Sequence, residues 1–191
     1  DVVVVGAGNA AFCAALAARE SGANVLVLER APKEECGGNT AFTAGAMRFA
    51  YDGVEQIREL CPELTEMDFD STDFGSYNQD QFYDDLCRVT EYRTDPELAH
   101  TLVSKSFETL SWMKSKGVKS SPISGRQASK VDGRFKFWGG LTLETWGGGP
   151  GLVEALTNPQ DIVLDPAAGS YSVLAACART RRRFLGCDIR G

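Results

Sequence analysis

The stretch Gly6-Ala7-Gly8-Asn9-Ala10-Ala11 stands between a β-branched run, Val2–Val5, and an alanine-rich segment of helical composition, residues 10–20. Gly6 permits a tight turn out of a strand, and Gly8 lets backbone approach a pyrophosphate. Ala11 in the third position still allows close helix–strand packing. The amino end of the helix, at Asn9 to Ala11, offers unpaired N–H groups and a positive dipole end to phosphate. Glu29 lies 21 residues beyond Gly8, at the end of a second apolar run, residues 24–28. An acid there accepts hydrogen bonds from both hydroxyls of an adenosine ribose and repels a 2′-phosphate, which argues against NADP. Together these are the parts of a dinucleotide site. The plainer alternative is a glycine turn in an ordinary α/β protein, with Glu29 merely solvated.

A second glycine-rich element follows within a few residues: Gly37-Gly38-Asn39-Thr40, then Thr43-Ala44-Gly45-Ala46. NAD domains usually proceed to a helix at this point. Flavoproteins use such a loop to line the pyrophosphate and the isoalloxazine, where backbone groups and the Asn39 and Thr40 side chains can hydrogen-bond a ring that gains and loses charge. A third cluster, Trp146-Gly147-Gly148-Gly149-Pro150-Gly151, precedes a helix expected over residues 152–156.

Residues 1–30, Gly37-Gly38-Asn39-Thr40 and residues 146–156 together resemble the FAD-binding domain of the fumarate reductase/succinate dehydrogenase flavoprotein family, nearest its soluble tricarballylate-dehydrogenase-like branch. The resemblance spans roughly residues 1–156. It implies FAD held at the pyrophosphate by Gly6, Ala7, Gly8, Asn9 and Ala10. Glu29 then lies on the ribose, with Arg30 beside it among the cofactor-binding residues. Gly37, Gly38, Asn39, Thr40, Gly45 and Ala46 lie against the flavin side, and Gly148, Gly149 and Gly151 form a turn near the cofactor. The reaction implied is hydride transfer between flavin N5 and a carbon of a small carboxylic acid. Family members with covalent flavin attach it through a histidine in the glycine-rich loop, and this loop has none, so noncovalent FAD is expected. The only histidine, His100, falls in an expected helix as a surface or partly buried side chain. The family's substrate-binding cap, with its histidine and arginines, would lie beyond residue 156. No catalytic residue is therefore assigned, and cofactor binding is expected ahead of turnover. Arg48, Arg126 and Arg134 are candidate anion ligands whose plainer reading is solvated charge.

Residues 157–191 repeat the opening grammar. A strand is expected over residues 161–164, a turn over Asp165-Pro166-Ala167-Ala168-Gly169-Ser170, a helix over 172–180 and a strand over 183–189 ending near Asp188. Asn158 to Ser170 resembles the AdoMet-binding motif of amino-group DNA methyltransferases, and Arg181 to Ile189 resembles that family's next strand. By this resemblance Asp165 and Gly169 border the methionine portion and Asp188 holds the ribose hydroxyls. Tyr171 replaces the glycine that normally follows Ser170, and the catalytic Asp/Asn-Pro-Pro-Tyr/Phe tetrapeptide is absent. Three readings stand: a tail that completes the first sheet and binds nothing, a vestigial AdoMet site, and a poorly packed tail. The change of resemblance near Leu156-Thr157 points to a fusion, a frameshifted gene or an artificial join.

These constellations need an α/β scaffold. The expected fold is a truncated, Rossmann-like three-layer domain with a mainly parallel sheet (residues 1–156), carrying a short strand-loop-helix-strand tail (residues 157–191). The Val2–Val5 run reads as a strand covered on both faces. Between the two nucleotide motifs, helices are expected over residues 54–60 and 79–92, and over a longer segment capped by Asp95 with Pro96 in its first turn. The apolar face of that helix is expected at Leu98, Leu102, Phe107, Leu110 and Met113, and Gly117 ends it. Residues 118–138 read as short strands and turns.

With 191 residues, 43% hydrophobic and 24% charged, the composition is ordinary for a globular chain. A net charge of −6 argues against broad nucleic-acid binding, the cluster at Arg179, Arg181, Arg182 and Arg183 notwithstanding. Apolar runs are far too short to span a membrane. Asp1 opens a strand directly, which reads as a chain cut at its start. Six scattered cysteines without CxxC spacing read as reduced thiols of a cytoplasmic protein, and no structural zinc site is expected.

Overall fold

The computed structural model describes residues 1–32, 35–140 and 143–157, together with the backbone of residues 162–165 and 183–186. In chain order its elements are β1 (Val2–Val5), α1 (Asn9–Glu20), β2 (Val25–Leu28), a 3-10 turn (Gly38–Phe42), β3 (Ala46–Met47), α2 (Val54–Leu60), α3 (Glu66–Asp70) and β4 (Thr72–Asp73). There follow α4 (Gln79–Val89), α5 (Pro96–Ser115), β5 (Ser120–Pro122), α6 (Ser124–Gln127), β6 (Ala128–Val131), β7 (Arg134–Phe137), β8 (Leu143–Thr145), α7 (Gly148–Ala155), β9 (Ile162–Asp165) and β10 (Arg183–Gly186). The chain forms two compact units, one from Asp1–Gly45 with Gly147–Gly191, the other from Ala46–Trp146.

In the first unit the strands pair in the order β1-β2-β9-β10, every pair parallel. All four carboxyl ends therefore lie along one edge, the edge at which open α/β sheets bind ligands. β9 joins β2 with Leu28 opposite Leu164, so the tail supplies a strand to this sheet. The turn and helix expected over 166–180 lie outside the described residues.

The coverage of β1 on both faces is a correction. Val3 is 60% and Val5 82% exposed, so the face these two share is open; among the described residues β1 is also an edge strand, paired with β2. A four-residue valine run satisfies a buried strand and an edge strand equally; what covers it comes from elsewhere in the chain. α1 runs from Asn9 to a Ser21 cap, and Gly22, at φ 86°, lets the chain turn back so that the Ala23 amide donates to the Ala18 carbonyl.

The second unit holds an aromatic core. Phe49, Tyr51, Phe74, Tyr77, Phe82 and Phe137 are all buried, with Phe74 and Phe137 stacked 5.4 Å apart. Each such side chain stabilises by about 1.5–3 kcal/mol relative to exposure. Two three-stranded sheets flank it, β3-β8-β5 antiparallel throughout and β4-β7-β6 mixed, so parallel pairing is concentrated in the first unit. Local caps start the helices: Asp95 accepts from the Glu97 and Leu98 amides with Pro96 in the first turn, as expected, while Thr65 and Asn78 each form a capping box not singled out from the sequence. The apolar face of α5 is as expected at Met113, which is buried, and at Phe107 and Leu110, which pack against the core, but it is corrected at its first two positions. Ala99, Val103, Ser106 and Met113 are buried, whereas Leu98 is 70% and Leu102 53% exposed. The Ser106 hydroxyl accepts the Ala50 amide at 2.9 Å and donates to the Val103 carbonyl.

Two substitutions calibrate this unit by urea unfolding. Asn78→Ala removes a capping box and should cost about 1 kcal/mol. Gly140→Ala should cost more, about 1–3 kcal/mol, because its Cβ would fall 2.0 Å from the Tyr77 ring.

Candidate functional site

The turn after β1 is built on backbone freedom and one carboxylate. Gly6 adopts φ 110°, and its amide donates to the Leu28 carbonyl at 2.6 Å, tying the exit of β1 to β2. The Ala7 amide then donates to Glu29 Oε2 and the Ala31 amide to Glu29 Oε1, both at 2.8 Å. Glu29 thus grips the glycine turn from the end of the neighbouring strand. Gly8 is the N-cap residue of α1 and gives it no side-chain cap, and the first turn of the helix carries no acid. The Asn9 amide donates to Thr40 Oγ1 at 3.1 Å. Among the described residues the amides of Ala10 and Ala11 have no partner. The helix end keeps its positive character for an anion.

The second glycine loop folds onto this turn. Gly37, buried and at φ 98°, starts the 3-10 turn, and a Cβ on Gly8 would sit 3.4 Å from both the Gly37 carbonyl and Thr40 Oγ1. The third glycine cluster is also drawn in. α7 begins at Gly148 instead of Leu152, which corrects the expected start. Pro150 is tolerated because amides of a first helical turn have no intrahelical partner. The Gly149 amide donates to the Thr43 carbonyl at 2.8 Å, and a Cβ on Gly149 would lie 1.7 Å from the Thr40 carbonyl oxygen. Only glycine lets these two backbones meet.

Gly6, Ala7, Gly8, Asn9, Ala10, Glu29, Gly37 and Thr40 are therefore gathered in one place. Gly38, Asn39 and Arg30 are exposed at its margin, and Gly45 is buried with its amide on Thr43 Oγ1. Ala46 opens β3 in the other unit. Thr43 was not singled out from the sequence, yet it holds Gly149 and Gly45 and donates its hydroxyl to the Thr40 carbonyl. Its signal was the cluster of glycines at 147–149, which has to pack against something. Asp165 ends β9, while Gly169 and Asp188 lie outside the described residues.

The candidate arginines do not converge. Arg126 is exposed, and Arg134 donates to the Thr72 carbonyl. Arg48 belongs to a buttress in the second unit: its Nη1 donates to the Tyr77 hydroxyl at 3.0 Å, and that hydroxyl donates to Asp85 Oδ2 at 2.7 Å. The Arg88 guanidinium, then the Tyr77 hydroxyl, hold the Asp85 carboxyl below the usual carboxylate range. His100 sits exposed on α5.

The family described as FAD binding domain matches residues 1–158. The chain belongs to it. The DNA methylase family matches residues 151–191. A fumarate reductase (cytochrome) of Shewanella frigidimarina is 30% identical over 140 residues, 73% of this chain and 22% of that relative. The type II methyltransferase M.HhaII of Haemophilus parahaemolyticus is 50% identical over 38 residues, 20% of this chain and 17% of that relative. Among solved structures, the open conformation of a flavocytochrome c3 fumarate reductase aligns with TM-score 0.55 at 22% identity, over 97% of this chain and 26% of that one. This FAD-binding domain spans about a fifth of the length of its fumarate reductase relatives. Its geometry fits the group the family is named for, with a side-chain-free approach at Gly8, an uncapped helix end beyond it and an acid at the end of β2.

The Gly149 contact can be tested by fluorescence titration with FAD and by thermal melting. Gly149→Ala should abolish FAD uptake and lower the melting temperature, whereas Gly53→Ala, with nothing within 4 Å, should leave both unchanged. Asp85 gives a pH prediction. Its folded pKa is depressed, so its contribution to stability is full above the unfolded value of about 4 and is lost as pH falls through the folded value. Asp85→Asn should flatten the acid limb of the stability–pH curve below about pH 4 and lower stability at pH 7.

Proposed function

We propose that the chain binds FAD noncovalently and is the nucleotide-holding part of an oxidoreductase of the fumarate reductase type. The observation that carries this is the Glu29 grip on the Ala7 amide beside an uncapped helix end. A carboxylate and a positively polarised helix terminus held side by side suit an adenosine diol on one hand and a pyrophosphate on the other.

On this reading Gly6, Ala7, Gly8, Asn9 and Ala10 receive the pyrophosphate, and Glu29, with Arg30 at the margin, takes the ribose. Gly37, Gly38, Asn39, Thr40, Gly45 and Ala46 serve the flavin side. Residues 1–156 make up the FAD-binding part in a Rossmann-like arrangement, and residues 157–191 are the methylase-like tail. The bound flavin would supply a two-electron carrier at N5, and the substrate would be a small carboxylic acid, as the name of the fumarate reductase relative supports. The chain's own residues bind and orient the cofactor. Residues 31–46 contain no histidine to attach it. We place the protein in the cytoplasm; no helix among the described residues is long and apolar enough to cross a membrane.

A second reading, favoured by the 50% identity to M.HhaII, is AdoMet binding by the tail through Asp165, Gly169 and Asp188. The net charge of −6 does not favour a nucleic-acid partner.

Visible absorption of the purified protein, before and after denaturation, tests the first reading. Flavin bands that pass into the supernatant are expected. Bands that stay with the precipitate would refute noncovalent attachment, and a protein that takes up no added FAD would refute binding. Glu29→Ala should raise the Kd for FAD about tenfold or more and leave AdoMet affinity unchanged.

A further inference from the structure

The second unit is electrically divided. Residues 52–97 hold fourteen acids against three arginines, whereas residues 114–136 hold seven lysines and arginines against one acid, Asp132. A chain of net charge −6 thus carries a strongly basic stretch and a strongly acidic one within the same compact unit, Ala46–Trp146.

The basic stretch ends in the β6–β7 hairpin. Its register sets Val131 opposite Arg134 and Ser129 opposite Lys136. Side chains alternate along a strand, and Phe137 lies in the core, so Val131, Arg134 and Lys136 share the face turned away from it. Val131 and Arg134 are exposed, and so is Trp138, with the Lys136 ammonium 5.5 Å from its ring centroid. Lys136 reaches Asp73 at 3.8 Å, but Lys130 and Arg134 meet no carboxylate among the described residues. Apolar side chains and unneutralised cations are therefore exposed together.

The acidic stretch ends in a corner of the opposite sign. α4 packs on α5, and the turn between them holds Glu91 at φ 52° and Tyr92 at φ 60°, two consecutive side chains in the left-handed region. Their amides donate back to the Arg88 and Cys87 carbonyls, which fixes the turn. Tyr92 stands exposed there, together with Val89 at the end of α4 and with Leu98 and Leu102, one helical turn apart on α5. Between residues 79 and 97 six acids stand against two arginines.

We infer that these two surfaces bind each other between copies: the β6–β7 hairpin of one chain docks on the α4–α5 corner of a second. Charge complementarity chooses the partner. A nucleic-acid backbone would neutralise Lys130 and Arg134, but it would also meet the fourteen acids of the same unit and offers Val131 no apolar counterpart. The corner supplies both the opposite charge and apolar side chains, and every copy carries it. The patches are small, and ion pairs at a solvated rim add little affinity, so the association is weak and sensitive to salt.

Sedimentation of the full chain tests this. In about 0.1 M salt, where charges are screened over about 10 Å, the mass should rise above one chain as concentration increases. In about 1 M salt, with screening over about 3 Å, it should return to one chain. Lys130→Glu with Arg134→Glu reverses the hairpin tip, and Glu91→Lys with Glu97→Lys reverses two acids of the corner. Each double variant alone should associate about tenfold more weakly or worse. Mixed in equal amounts, the two should associate again, because opposite signs then face each other, and a damaged fold could not do this. A chain that stays single at every concentration in low salt overturns the proposal, as does association that neither reversal changes. Should a variant fail to melt cooperatively, the salt series decides, and association that persists in about 1 M salt overturns the proposal. Binding of a poly(dT) oligonucleotide or a phosphatidylserine vesicle through Lys130 and Arg134, by a chain that does not self-associate, overturns it too.

Discussion

Thr40 is where the nucleotide-binding unit is fastened. Its carbonyl oxygen occupies the space a side chain at position 149 would need, and its hydroxyl accepts the first amide of α1. The start of α1, the 3-10 turn and the start of α7 come from three distant parts of the sequence, and they meet at this one residue. The constraint is steric before it is energetic. Any Cβ at position 149 separates the backbones, and with them go the Gly149–Thr43 hydrogen bond and the support beneath Gly8.

What that fastening secures is an electrostatic contrast across a few ångströms. α1 begins with no side-chain cap and no acid in its first turn, so its N-terminal dipole is neutralised only in part, by the Thr40 hydroxyl. Glu29 faces the same turn from β2 and is itself held by two amides. A positive helix end and a fixed carboxylate, both carried on rigid elements, are the preorganised partners that a molecule with a pyrophosphate at its centre and a ribose at one end requires.

The two family matches overlap over residues 151–158, the end of α7 and the residues just after it. Beyond that overlap the methylase-like strand β9 pairs in parallel beside β2. Sheet pairing depends on backbone hydrogen bonds and an apolar pattern, and Ile162-Val163-Leu164 meets both requirements whatever its ancestry.

The sequence by itself determined the local features: the strand–turn–helix–strand with Glu29 in place, the helix start at residue 79, the Asp95 cap, and the three glycine clusters. Each lies within one short stretch of chain, about thirty residues at most, and each has its own chemical signature in a cap, a glycine or a β-branched run. Tertiary structure decided the rest. It put Gly149 against Thr40, made Thr43 a holding residue, and buried Ala99, Val103 and Ser106 while leaving the larger Leu98 and Leu102 exposed. It also left β1 at an edge. In each case the outcome turned on which distant backbone comes close. A hydrophobicity pattern shows that a face needs covering, but close approach between backbones selects small residues, which leave almost no hydrophobic signal in the sequence.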